Sequence, residues 1–190
     1  VVGYLGERVR SAVQAIHPQL TIIENEQYEE GLALSVFATR SFVGDDPFVL
    51  CMGDHPISSD IPRRVLSNGH TESTLCVDWG AKLSCQVNDG TRVLVDPNGY
   101  ISEIGKSLES WNAMDTGVFR MTGDVFSAID HLVGRQGPAV GVSDVVRYLG
   151  RNGQPFDTCD VSGAFWGDVD TVEDYHSIDS LLREKNGEPL

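Results

Sequence analysis

Four carboxylates fall within the seven positions 168–174, which follow Phe165, Trp166 and Gly167. Asp168 and Asp170 are two positions apart, so in an extended chain their side chains point to the same face. Thr171, Glu173 and Asp174 instead have the composition of a helix N-cap and first turn. Two adjacent carboxylates at a strand end are costly unless a cation joins them. The pattern therefore predicts either ligands for a divalent metal or plain turn and capping residues.

A second acidic strand end lies far upstream. The apolar run 48–52 is followed by Gly53, Asp54 and His55. A short apolar run without alternation is typical of a strand covered on both faces, most often in a parallel sheet. Ligands bind outside the carboxyl ends of such strands, and Gly53 allows close approach to the backbone. Asp54 is either a turn residue before Pro56 or, taken with Asp168, a ligand for Mg²⁺.

Lysine is scarce, with three lysines against eleven arginines. Lys106 directly follows Gly105 and a strand-like alternation over 100–105. A compact ammonium at this position can bind a phosphate as a point charge. The alternative is a solvated cation at a strand end.

Composition excludes several classes of protein. The 190 residues are 41% hydrophobic and 22% charged, which predicts one globular domain over 1–190. The formal charge of −14 and the scatter of basic residues argue against binding to nucleic acid or an anionic membrane. The apolar runs are too short to span a membrane, and no signal peptide is evident, so we expect a cytoplasmic protein. Cys51, inside the apolar run, is expected to be a buried free thiol.

The periodicity predicts alternating helices and strands with a hairpin region between them. Asn88-Asp-Gly90 and Pro97-Asn-Gly99 are hairpin signals, which predict an antiparallel insert over 75–104. The predicted strands are 1–4, 20–23, 48–54, 115–119 and 164–168, and the predicted helices are 7–16, 29–42, 59–66, 125–133, 142–149 and 171–182.

Four segments together resemble the nucleotidyltransferases that activate sugar phosphates and phospho-alcohols. They are Phe48–His55, Glu103–Lys106, Asn112–Phe119 and Phe165–Asp174. Their M-G-D-H, I-G-K, D-T-G-V-F and F-W-x-D-V-D-T-x-E-D motifs are most similar to inositol-1-phosphate cytidylyltransferases, including the domain found in bifunctional enzymes that make di-myo-inositol phosphate. The resemblance extends over essentially the whole chain.

The resemblance implies a three-layer α/β/α fold, Rossmann-like and of the glycosyltransferase-A kind, with a mixed, mostly parallel sheet. It also implies transfer of CMP from CTP to inositol 1-phosphate with Mg²⁺. Asp54 and Asp168 would hold the metal with Asp170 as an auxiliary, and Lys106 would hold the acceptor phosphate. The acceptor pocket would comprise His55, Asp115, Thr116 and Gly117; as an alternative, Asp115 is a turn residue.

The printed sequence departs from that family at its beginning. Relatives start with a strand and a Gly-rich G-x-G-x-R loop that cradles the triphosphate, and neither precedes Gly3 here. We therefore expect a fragment of a longer protein, with a membrane-embedded domain fused after residue 190 in the bifunctional case. Two alternatives stay open: the same fold acting on another phospho-alcohol or sugar 1-phosphate, and a non-catalytic fragment that binds no nucleotide.

Overall fold

The computed structural model of the chain describes residues 1–67, 69 and 71–186, apart from the side chains of 84–85 and 184–186. Its backbone groups into two compact units, one of residues 1–48 and 122–153 and one of residues 49–121 and 154–190. The single domain over 1–190 stays a prediction. None of the helices in the described part of the chain combines the length and the hydropathy that a membrane span requires.

The first unit is helical. Its helices are α1 (Gly6–Ile16), α2 (Leu32–Phe37), α3 (Arg40–Val43), α6 (Asp124–Gln136) and α7 (Val142–Arg151). The predicted helices over 7–16, 125–133 and 142–149 are confirmed. The predicted helix over 29–42 is wrong, because α2 and α3 are separate. The Thr39 hydroxyl donates to the Val36 carbonyl at the break, a local bond that competes with helix continuation.

The predicted strand over 20–23 is also wrong. The chain there makes one isolated parallel bridge, between Val2 and Glu24. Its backbone bonds run from the Val2 N–H to the Ile23 carbonyl and from the Asn25 N–H to the Val2 carbonyl. One bridge supplies too few ladder bonds to form a strand.

The second unit carries a six-stranded mixed sheet. The strands are β1 (Phe48–Cys51), β2 (Thr74–Asp78), β3 (Arg92–Val95), β4 (Ile101–Gly105), β5 (Ala113–Met121) and β6 (Asp157–Asp160). The order is β4-β3-β5-β2-β6, and β1 pairs with β5 off this path. Helices α4 (Asp60–Ser67), α5 (Ser84–Val87) and α8 (Val172–Asn186) belong to this unit.

The mixed character of the sheet is confirmed, but most of the described pairings are antiparallel. β2 and β6 are parallel, whereas β5 pairs antiparallel with β2 and β3, and β3 with β4. An apolar run indicates that both faces of a strand are buried, but it does not indicate whether the neighbouring strands are parallel or antiparallel to it. β1 itself is only partly buried, and Cys51 is a free thiol that is exposed rather than buried.

The region predicted as an insert divides into two parts. β2 lies inside the sheet between β5 and β6, so the hairpin proper is β3–β4, which turns at Pro97-Asn-Gly99 as predicted. Asn88-Asp-Gly90 is not a hairpin turn, because it joins helix α5 to strand β3 and not two strands. A Cβ on Gly90 would lie 2.3 Å from the Gln86 carbonyl oxygen. The chain therefore needs a glycine where it passes close to the backbone of α5.

The predicted strand over 164–168 is wrong, and β6 was not predicted. Residues 157–160 have no apolar run and become a strand by pairing in parallel with β2. Trp166 contributes to the core instead, with 1% of its side chain exposed, beside Ile61, Met114 and Val118. Ile57 packs against the same core and is bridged to Trp166.

Candidate functional site

Two loops run side by side and bring Asp54 and Asp168 together. The Val169 N–H donates to the Asp54 carbonyl at 3.1 Å, and the Gly167 N–H donates to the Pro56 carbonyl at 3.2 Å. An isolated antiparallel bridge joins Ile57 to Trp166. Positions 54 and 168, far apart in sequence, therefore lie at one place, as the sequence predicted.

Trp166 and Asp78 fix the second of these loops. The Trp166 indole donates to the buried Asp78 carboxylate at 2.9 Å, and the Gly80 N–H donates to the same carboxylate at 2.7 Å. The Gln86 side chain donates to the Trp166 carbonyl at 2.9 Å. Sequence reasoning missed these positioning residues, since nothing in the local pattern of Asp78 or Gln86 indicates a partner about 80 residues away.

His55 is held in one orientation between the two carboxylates. Its Nδ1 lies 2.9 Å from the Thr116 carbonyl oxygen, which only accepts, so Nδ1 carries the proton. Its Nε2 lies 3.8 Å from Asp54 Oδ1 and 3.6 Å from Asp168 Oδ1. Gly117 leaves room for the ring, because a Cβ at that position would lie 2.2 Å from Nδ1.

Asp168 has an unsatisfied oxygen. Its Oδ1 is buried and has no hydrogen-bond partner among the described residues. Burial raises the pKa of the Asp168 carboxyl, and His55 opposes this rise while Asp170 and Asp54 add to it. A buried acceptor without a donor is rare in a folded protein, and a bound cation would satisfy this one.

Asp54, His55 and Asp168 together fit a divalent cation. Each offers one ligand atom, and the three atoms lie within 4.8 Å of one another. Two carboxylate oxygens and one imidazole nitrogen are ordinary ligands for such an ion. Asp170 is exposed and does not join this cluster, so its role as an auxiliary ligand stays a prediction.

Asp115, Thr116 and Gly117 lie on β5 beneath His55. Burial raises the pKa of Asp115 to about 6, although the Gly117 N–H donates to its carboxylate at 2.7 Å and opposes the rise. The Thr116 side chain is fully buried and its hydroxyl donates to the Cys76 carbonyl at 2.9 Å. Any contact of Thr116 with a substrate would therefore come from its backbone.

Lys106 is paired with a carboxylate that sequence reasoning missed. Its Nζ binds Asp89, and this hydrogen bond is the main reason that the pKa of Lys106 is raised and that of Asp89 lowered. The charges of Asp170 and Asp168 also raise the pKa of Lys106. The N-D-G motif predicts only a turn, so no local pattern places Asp89 beside Lys106.

An acidic cavity of about 500 Å³ opens beside these groups. Asn88, Asp89, Asp168 and Asp170 line it on one side, and the start of α8 lines it on the other. Asp168 thus belongs both to the cluster with His55 and to this cavity. The volume is within the range of small-molecule sites.

The start of α8 has the predicted cap. The Thr171 N–H and hydroxyl both donate to the Asp174 carboxylate, at 3.0 and 2.7 Å, and the Asp174 N–H donates back to the Thr171 hydroxyl at 3.1 Å. This is a reciprocal capping box. Of the acids in 168–174, Asp174 therefore serves the helix, whereas Asp168 faces the site.

Comparison with known proteins relates the chain to nucleotidyltransferases. It is 29% identical over 182 residues to "Bifunctional IPC transferase and DIPP synthase" of Rubrobacter xylanophilus, covering 96% of this chain and 40% of that protein. It is 26% identical over 160 residues to "Low-salt glycan biosynthesis nucleotidyltransferase Agl11" of Haloferax volcanii, covering 81% of this chain and 43% of that protein. No protein-family model matches the chain.

A solved structure has the same fold. The inositol-1-phosphate CTP transferase from T. maritima superposes with a TM-score of 0.80 at 22% identity, over 97% of this chain and 74% of that one. The predicted nucleotidyltransferase fold and the resemblance stated from the motifs are confirmed. The chain spans between 30% and 43% of the length of the curated relatives it matches.

Proposed function

Because the chain resembles inositol-1-phosphate nucleotidyltransferases in sequence and fold, we propose that it transfers CMP from CTP to inositol 1-phosphate and releases pyrophosphate. The observation that carries the proposal is the cluster of Asp54, His55 and Asp168, with its unsatisfied buried oxygen, beside a lysine. A cytoplasmic location belongs to the proposal, since CTP is a cytoplasmic substrate.

The reaction joins two anions, so catalysis is chiefly positioning and neutralisation of charge. When bound, Mg²⁺ would neutralise charge on the triphosphate as a Lewis acid. Asp54 and Asp168 would hold the ion, with Asp170 nearby as an auxiliary. The unsatisfied Asp168 oxygen supports this assignment, because a cation would satisfy it.

Lys106 would bind the acceptor phosphate. Its ammonium is already bound to Asp89. The phosphate would therefore have to displace the Asp89 carboxylate from Lys106, and not only water. An oxygen of the held phosphate would then attack the α-phosphorus of CTP. The bond between the α-phosphorus and the oxygen that bridges it to the β-phosphorus breaks, and pyrophosphate leaves with the bonding electron pair.

The acceptor ring would lie against Asp115, the backbone of Thr116 and Gly117, and His55. Carboxylate oxygens accept hydrogen bonds from vicinal hydroxyls, and a glycine permits close approach to the backbone. Asp115 supports this role, because its carboxylate is partly buried and bonded on one oxygen by the Gly117 N–H.

The test is pyrophosphate release by the chain with a panel of nucleotides and phospho-alcohols in the presence of Mg²⁺. We expect turnover with CTP and inositol 1-phosphate, and a loss of roughly 10²–10³-fold in kcat in Asp168→Ala. Asp130→Asn, at an exposed position of α6, is the matched control and should keep full activity. Full activity in Asp168→Ala would refute the metal assignment.

A second candidate is the same reaction on a sugar 1-phosphate. It is favoured by the similarity to a nucleotidyltransferase of glycan biosynthesis. The same panel separates the two, because equal turnover with UTP or a hexose phosphate would refute the inositol assignment. Failure to release pyrophosphate from any nucleotide would favour the non-catalytic alternative.

A further inference from the structure

The residues around His55 hold its ring in a fixed position. The ring is only 14% exposed and is stacked against Trp166, with ring centroids 6.4 Å apart and an interplanar angle of 22°. The Thr116 carbonyl holds Nδ1–H, and the missing side chain at Gly117 leaves the space that the ring occupies. Contacts from Trp166 and from two adjacent residues of β5 therefore fix where Nε2 points.

Nε2 points at the two carboxylates without bonding closely to either. Its distances of 3.8 and 3.6 Å to Asp54 and Asp168 exceed those of a good hydrogen bond. Asp168 Oδ1 has no hydrogen-bond partner among the described residues although it is buried. If His55 served only as a charged partner of Asp168, we would expect its Nε2 to lie within hydrogen-bond distance of Asp168 Oδ1. The two atoms are instead 3.6 Å apart.

We propose that His55 Nε2 is a direct ligand of the divalent ion, together with Asp54 and Asp168. This inference rests on the metal part of the proposed function and adds a nitrogen to the oxygen ligands. Histidines that bind metals nearly always donate their other ring N–H to a carboxylate or a backbone carbonyl, as Nδ1 does here. Through Nε2, His55 would hold the metal at the edge of the proposed acceptor pocket.

A nitrogen ligand changes which metals the site prefers. Mg²⁺ binds chiefly to oxygen, whereas imidazole favours later divalent metals, whose affinities also rise from Mn²⁺ to Co²⁺. The site should therefore bind Mn²⁺ and Co²⁺ more tightly than Mg²⁺. Replacing His55 should weaken Mn²⁺ and Co²⁺ binding more than Mg²⁺ binding.

The experiment uses Mn²⁺ alone, without nucleotide, on the whole chain. Pulsed electron paramagnetic resonance detects ¹⁴N of a directly bound imidazole. We expect this nitrogen signal in the unsubstituted chain, its loss in His55→Gln, and a rise in the Mn²⁺ Kd of roughly 10-fold or more. His17→Gln, at an exposed position, is the control and should change neither.

The chain has five histidines, which gives a second variant that leaves His55 in place. Substituting His17, His70, His131 and His176 together should retain the nitrogen signal. This variant assigns the signal even if His55→Gln does not fold. The absence of a ¹⁴N signal from bound Mn²⁺, or an absence of Mn²⁺ binding, would overturn the inference.

Pyrophosphate release with Mg²⁺, measured on the same chains, separates this inference from the proposed function. Turnover without a nitrogen signal would overturn the role of His55 and leave the nucleotidyl transfer standing. A nitrogen signal without turnover on any nucleotide would uphold the ligand and refute the activity.

Discussion

Gly117 shows how one missing side chain supports the site. Its backbone has φ of +75°, a conformation that L side chains rarely adopt, and a Cβ would lie 2.2 Å from His55 Nδ1. Alanine at this position must therefore both strain the backbone and displace the imidazole. Because Nδ1 is bonded to the Thr116 carbonyl, the displacement would disturb this bond and change the position of Nε2 relative to Asp54 and Asp168.

Gly117→Ala separates these two effects when it is compared with Gly163→Ala. Gly163 has a similar φ of +80°, but nothing lies within 4 Å of its Cβ position. We expect Gly163→Ala to lower the free energy of unfolding by about 1–3 kcal/mol from backbone strain. Gly117→Ala should cost about 1–3 kcal/mol more because of the clash, and should weaken Mn²⁺ binding. Chemical denaturation and Mn²⁺ titration measure both, and equal costs in the two variants would contradict the steric argument.

At the scale of elements, the sequence predicted best where a local pattern had a local cause. The helices α1, α6 and α7 and the hairpin turn at 97–99 follow from periodicity and turn residues alone. The site was partly predictable for a similar reason, since Asp54 and Asp168 each follow an apolar segment. Their contact could be inferred only by placing both in one fold.

What the sequence did not predict depends on partners distant along the chain. β6 is polar and becomes a strand through β2, which lies about 80 residues upstream, and Trp166 enters the core because the buried Asp78 accepts its N–H. Asp89 looked like a turn residue, and only the structure pairs it with Lys106. Neither propensity nor spacing encodes such long-range bonds.

The contribution of the α8 capping box to the free energy of unfolding can be measured by substituting Asp174. Asp174 accepts hydrogen bonds from the Thr171 N–H and hydroxyl, so Asp174→Ala removes the acceptor and should cost about 1 kcal/mol. Asp174→Asn keeps an acceptor oxygen and should cost less. Amide hydrogen exchange over 172–175 together with denaturation would measure this.

Asp179→Ala is the control for that element. Asp179 pairs with Arg183 at 2.9 Å one turn apart on the same helix, and such a pair contributes about 0.3–0.5 kcal/mol. If Asp174→Ala cost no more than Asp179→Ala, the capping box would not stabilise the helix start. In that case Asp174 would be grouped with the other acids that line the cavity.

At the scale of the whole molecule, the net charge works against the proposed substrates. The chain carries a formal charge of −14, and the candidate cavity is lined by Asp89, Asp168 and Asp170. CTP and the phosphorylated acceptor are both anions. Long-range repulsion should therefore slow their association, and salt should relieve it, since the Debye length falls from about 30 Å at 0.01 M to about 10 Å at 0.1 M.

We expect kcat/KM for CTP to rise roughly two- to fivefold when KCl is raised from about 10 to 100 mM at constant Mg²⁺, with little change in kcat. Replacing the exposed acids Glu7, Glu29 and Glu30 by glutamine lowers the net negative charge and should reduce this dependence. Steady-state kinetics over a series of salt concentrations measures both chains. A fall in kcat/KM with salt would contradict the argument, because it would mean that local cations such as Lys106 attract the substrates more strongly than the whole chain repels them.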